Sequence, residues 1–129
     1  MAGGEVAVTS GNELEQRVVS LATRLGLQVR RQVRVGKRIW GADRYIDLAI
    51  TEKQSRHSLG IECKYQGGSG SAEEKIPTTI TDLAAWPIPG IVVIYGQGFS
   101  DRMRSYLYST GKVVDLEDLP TWLTLFFSL

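Results

Sequence analysis

Alternation of apolar and polar positions dominates the middle of the chain. In residues 59–66, Leu59, Ile61, Cys63 and Tyr65 fall on one side of an extended segment and Glu62, Lys64 and Gln66 on the other, the two-residue period of a strand with one buried face. Residues 45–50 repeat the pattern, with Ile46, Leu48 and Ile50 inward and Asp47 turned the opposite way. Paired as antiparallel neighbours, the two segments set Asp47 and Glu62 face to face. Residues 27–30 and 33–35 also alternate, but Arg31 lands in the apolar register, which predicts a bulge or a sheet edge. Residues 90–96 are apolar on both faces, as expected of the sheet's centre under helices on each side, and 112–116 read as a short strand.

Helical spacing fills the intervals. From Ser10 or Asn12 as cap, Leu14, Val18, Leu21, Ala22 and Leu25 form one stripe that Gly26 ends. Ser71 and Glu74 form a capping-box pattern ahead of Ile76, Ile80, Leu83 and Ala84, and Pro77 is expected to kink or divide that helix. A third helix over 101–109 turns Met103, Tyr106 and Leu107 inward, and a fourth, within 117–129, is apolar nearly all round. Residues 36–38 read as a turn, 51–58 as a hairpin connection containing the exposed His57, and 67–71 as a glycine-rich loop placed to order on substrate. Residues 1–9 read as an extended or frayed terminus.

A chain of 129 residues is expected to form a single domain, 1–129, around one core. Its apolar runs are too short to span a bilayer, no secretory signal pattern opens it, and a single cysteine suits a reducing compartment, so a soluble, cytoplasmic protein is expected. The net charge of +1 hides an asymmetry: residues 16–42 carry Arg17, Arg24, Arg30, Arg31, Arg34, Lys37 and Arg38 with no acid, leaving the rest of the chain at −6. Such a division points to a polyanion docking on the basic segment, with Arg30, Arg31, Arg34, Lys37 and Arg38 as its contacts.

Two carboxylates and a lysine aimed into one space are the minimum kit for a hard cation and a water beside it. The arrangement, Asp47 followed by Glu62-Cys63-Lys64, resembles the signature of the PD-(D/E)XK nuclease superfamily, with Ile46 where the signature has proline. The stretch from Glu15 to Gly26 is similar to the first helix of the archaeal Holliday junction resolvases of that superfamily, which supplies an accessory acid; Glu13 is the other candidate for that role. The resemblance implies a restriction endonuclease-like α/β fold of three layers, a mixed central sheet flanked by helices. It also implies cleavage of DNA by an endonuclease of restriction, homing or resolvase and repair type. Asp47, Glu62 and the backbone carbonyl of Cys63 would hold Mg²⁺, with Mn²⁺ able to substitute. Lys64 would orient or deprotonate the attacking water, and Glu15 and Gln66 would complete the catalytic set.

A non-catalytic nucleic-acid-binding or assembly module on the same fold is the alternative, opposed by the intact Asp47, Glu62 and Lys64. Unrelated enzyme types lack support, since no phosphate-binding glycine loop ahead of a helix and no nucleophile elbow occurs. Trp40 is read as a core cap, with a stacking lip of Trp40, Arg38 and Arg44 as its other reading. Cutting two strands takes two sites, so a homodimer is expected, with residues 122–129 as a candidate interface or, alternatively, as core.

Overall fold

The computed structural model describes residues 8–68 and 72–129. Ser10 caps α1 (Gly11–Arg24), its hydroxyl accepting from the Glu13 amide at 3.1 Å, and the helix buries Leu14, Val18, Leu21 and Ala22. There follow β1 (Gln28–Lys37), a single 3₁₀ turn (Ile39–Gly41), β2 (Asp43–Thr51), β3 (Ser58–Tyr65), α2 (Ala72–Leu83), β4 (Gly90–Tyr95), α3 (Asp101–Ser109), β5 (Val113–Asp115) and α4 (Leu119–Phe127). The expectations for residues 1–7, for most of the glycine-rich loop and for the Ser71 cap fall outside the described residues.

The five strands form one mixed sheet in the order β1-β2-β3-β4-β5, antiparallel from β1 to β3 and parallel from β3 to β5. One face carries α1 and α4, packed through Leu14, Val18, Leu119, Leu123 and Phe127 onto Leu48, Ile50, Leu59 and Ile61. The opposite face carries α2 and α3, where Ile76, Leu83, Trp86 and Leu107 meet Ile46, Val92 and Ile94. This is the expected three-layer α/β core.

Local expectations are corrected in several places. β4 is buried on both faces, but β3 is the middle strand of the five, because the short β5 lies on the far side of β4. Pro77 neither divides nor ends α2, which runs unbroken from Ala72 to Leu83. Tyr106 is half-exposed, leaving Leu107 as the buried anchor of α3. The turn between β1 and β2 falls at 38–42, not 36–38. Trp40, expected in the core, stands 93% exposed at that turn with φ +65. In α4, core packing accounts for Leu119, Leu123 and Phe127, and Leu125 is 76% exposed.

The site is positioned by a change of face within β2. Ile46, Leu48 and Ile50 are all buried, but Leu48 and Ile50 belong to the α1 core and Ile46 to the α2 core. A strand of regular period two would put all three on one side, so β2 turns over at Asp47. Opposite this point β1 carries Gln32 at φ +51, flanked by the pairs Arg31↔Leu48 and Val33↔Ile46. Pairing of β2 with β3 runs from Thr51↔Ser58 to Leu48↔Ile61, whereas pairing with β1 continues to Lys37↔Asp43. Past Leu48, then, β1 and β2 leave the sheet as a two-stranded arm, and β3 beyond Ile61 is bordered by β4 alone.

Candidate active site

Where the strands part, the Asp47 side chain takes over from the backbone ladder. Its Oδ2 accepts from the Cys63 amide at 3.2 Å, and the Gln32 side-chain amide donates to Oδ1 at 3.4 Å. Continuing the register of β2 and β3 by one step sets Asp47 opposite Glu62. The two carboxyls hydrogen-bond, and Glu62 in turn places Oε2 3.5 Å from the Lys64 ammonium. Burial, the neighbouring Asp47 charge and that shared hydrogen bond push Glu62 up to about 7, with Lys64 pulling the other way.

Glu62 and Lys64 line a cleft of about 340 Å³ between the arm and α2. Arg38 and Tyr45 form its arm wall, Lys75 and Thr78 its helix wall, and the Trp86 indole lies at its base. That indole covers a glycine pair, Gly60 on β3 and Gly90 on β4, partners in register. A Cβ on either would come within 2.6 or 2.5 Å of the ring, so bare backbone is required for Trp86 to pack there. Asp82 of α2 ties the arm down, accepting from Arg44 at 3.1 Å and standing 4.0 Å from Arg38.

Glu15 approaches from the α1 side. Its Oε1 accepts from Arg31 Nε at 3.2 Å and from the second guanidinium nitrogen at 2.9 Å, which explains an arginine in the apolar register of an edge strand. Burial pushes the Cys63 thiol well above its ordinary range, and the charges of Asp47, Glu15 and Glu62 add to the effect. Glu13 is occupied elsewhere: its Oε2 accepts from the Thr9 amide and hydroxyl, both at 2.8 Å. Gln66, a candidate catalytic residue by its alternation with Lys64, sits one residue past the end of β3 and is buried. Its side-chain amide donates to the Gly98 carbonyl at 2.9 Å, and its own carbonyl accepts from the Gly98 amide at 2.8 Å, so it clamps the loop after β4.

Of the sequence-predicted residues, the structure thus brings Asp47, Glu62, Cys63, Lys64 and Glu15 together, adds Arg38 at the cleft wall, and gives Gln66 a structural bond. Gln32, Tyr45 and Thr78 escaped the sequence reading. Only Gln32 left a trace there, the break in alternation around Arg31.

The acid pair fits a hard divalent cation, because both carboxyls are close enough to compete for one proton and the un-ionised thiol leaves oxygen as the donor type. Among the described residues no group of three or more His, Cys, Asp or Glu side chains forms a metal cluster. Without a cation, the raised Glu62 works against folding as pH rises. Below about pH 4.5 it is protonated folded and unfolded alike; between about 4.5 and 7 only the unfolded chain releases the proton, so stability falls, and above 7 it levels off. The loss across that interval should be about 3 kcal/mol, and urea unfolding of Glu62→Gln should show a flatter profile between these pH values.

The family model of the PD-(D/E)XK nuclease superfamily domain matches residues 6–121. The chain belongs to the PD-(D/E)XK nuclease superfamily. Among solved structures it is similar to the crystal structure of a protein of unknown function, AF1548, at 17% identity and a TM-score of 0.53, covering 79% of this chain and 57% of that one. At that identity the likeness concerns the fold, and this chain spans little more than half of the other's length. No curated protein matches the sequence. No described helix is long and apolar enough to cross a membrane.

Proposed function

We propose that this protein is a metal-dependent DNA endonuclease of restriction, homing or resolvase and repair type that hydrolyses phosphodiester bonds at the cleft between the arm and α2. The observation that carries the reading is the meeting of Asp47 and Glu62 at the point where β2 leaves β3, with Lys64 3.5 Å from Glu62. Asp47, Glu62 and the Cys63 carbonyl would hold Mg²⁺, or Mn²⁺ in its place. A divalent cation held there supplies charge neutralisation at the phosphate and a more acidic water.

The remaining work belongs to the chain's own groups. Lys64 orients the attacking water or takes its proton, from a strand paired in parallel with β4. Glu15, held in place by Arg31, is the accessory acid on the α1 side of the site. Arg30, Arg31, Arg34, Lys37 and Arg38 follow the edge strand and its turn and guide the phosphate backbone, Arg31 from its ion pair with Glu15 and Arg34 from its ion pair with Asp43. The same charges keep an exposed sheet edge from pairing with other edges. A homodimer would supply the second site needed for both strands, with the exposed Leu125 of α4 at a candidate contact.

Incubation of supercoiled plasmid with the protein and Mg²⁺ should give nicked and then linear product, and none with EDTA. DNA retained but never cut, in Mg²⁺ or Mn²⁺ and on branched as well as plain substrate, would replace the endonuclease with a binding module.

A further inference from the structure

A fully exposed tryptophan in a strained backbone is an uncommon thing for a sheet turn to carry. Trp40 is 93% exposed at φ +65, and Gly41 follows at φ +78, so the tip of the arm has two successive left-handed residues of which one is a bulky aromatic. Such a position favours glycine or asparagine, and an indole in water forfeits the burial that a core tryptophan provides. Neither local folding nor packing accounts for the residue.

Its setting is cationic. Arg34 and Lys37 share the Asp43 carboxylate at 3.0 and 3.9 Å, and Arg38 and Arg44 share Asp82 at 4.0 and 3.1 Å, so four cations lean on two acids. The arm itself extends beyond the last β2–β3 pair by residues 43–47, about 15 Å of two-stranded ribbon. Arg38 lines the cleft that holds Glu62 and Lys64, and Trp40 is two residues further on, at most about 7 Å along the chain.

We infer that Trp40 is a base-stacking residue that selects DNA with an unpaired or unstacked base next to the bond to be cut. This deepens the endonuclease reading and rests on it. The excess charge of the arm draws in the phosphate backbone, and the indole offers a flat apolar face to a nucleobase. Prying apart an intact duplex step costs a few kcal/mol, about as much as stacking on an aromatic side chain returns, so the gain is realised where the base is already free. Bulges, mismatches, branch points and frayed ends share that chemistry.

The test is a binding measurement in Ca²⁺ with the full chain, independent of cleavage. Anisotropy titrations compare a fully paired duplex with the same duplex carrying a short unpaired bubble, and a fluorescent adenine analogue in the bubble reports stacking. The parent should prefer the bubble roughly tenfold and quench the analogue. Trp40→Ala should lose both effects with duplex affinity unchanged, and Trp40→Tyr should keep most of each. Because the side chain is exposed, thermal unfolding of these variants should match the parent. A parent without bubble preference, or a Trp40→Ala protein that retains it, overturns the inference and leaves the endonuclease reading in place. A change of oligomeric state in Trp40→Ala with the preference intact does the same and assigns the indole to a protein contact. A parent that binds neither DNA removes both readings.

Discussion

Replacing Lys64 by methionine should lower strand cleavage in Mg²⁺ roughly a hundredfold or more, the size expected when a positioned proton-transfer group is lost, while DNA binding in Ca²⁺ stays nearly intact. The expectation follows from its place on β3. Lys64 lies two residues after Glu62 on the same side of the strand, opposite Ile94 of β4, and its ammonium is 3.5 Å from Glu62 Oε2. It is also one of the charges that lower the Glu62 carboxyl, so its removal should push that carboxyl higher still. Lys64→Arg separates the two roles assigned to the amine. A guanidinium preserves the positive charge but does not release or accept a proton near neutrality, so activity in the Arg protein would mark orientation of the water, and its absence proton transfer. A Lys64→Met protein that cuts as fast as the parent would sink the catalytic assignment of the whole group.

Much of this arrangement is legible in the sequence, because period two is a strong constraint. Once residues 45–50 and 59–66 are strands with buried odd and even positions, Asp47 and Glu62 have few places to be other than side by side. The α1 stripe and its Ser10 cap follow from local spacing in the same way. What alternation leaves open is decided by groups distant in sequence. Period two cannot foresee that β2 turns over at Asp47, since that depends on where β3 stops pairing and on Gln32 across the way. Gln66 continues the alternation of β3 on paper, yet the strand has ended, and the Gly96–Gly98 loop claims the side chain. Arg31 reads as a misplaced charge until Glu15, sixteen residues earlier, is set against it. Trp40 breaks a different rule: apolar character normally predicts burial, yet this indole stands exposed at the turn.

Asp47→Asn should abolish most cleavage, roughly a thousandfold or more, by the loss of a charged cation ligand whose contribution is several kcal/mol, and calorimetry should show weakened binding of Mg²⁺ and Mn²⁺. The same carboxylate also has a structural duty, accepting from the Cys63 amide where the β2–β3 ladder stops. An asparagine oxygen can still accept that bond, whereas Asp47→Ala leaves the Cys63 amide without it in a partly buried place, a penalty of about 1–3 kcal/mol. The two variants should therefore be alike in lost activity and unlike in stability, with the Asn protein close to the parent in urea and the Ala protein unfolding earlier. Removing the Asp47 charge also removes one of the causes that raise Glu62, so the Glu62 carboxyl should return toward its ordinary value in the Asn protein, which carboxyl-carbon NMR titration would follow. Should Asp47→Asn cleave and bind cations like the parent while Asp47→Ala merely loses stability, Asp47 would be a strand-joining residue, and the candidate site would rest on Glu62 and Glu15 instead.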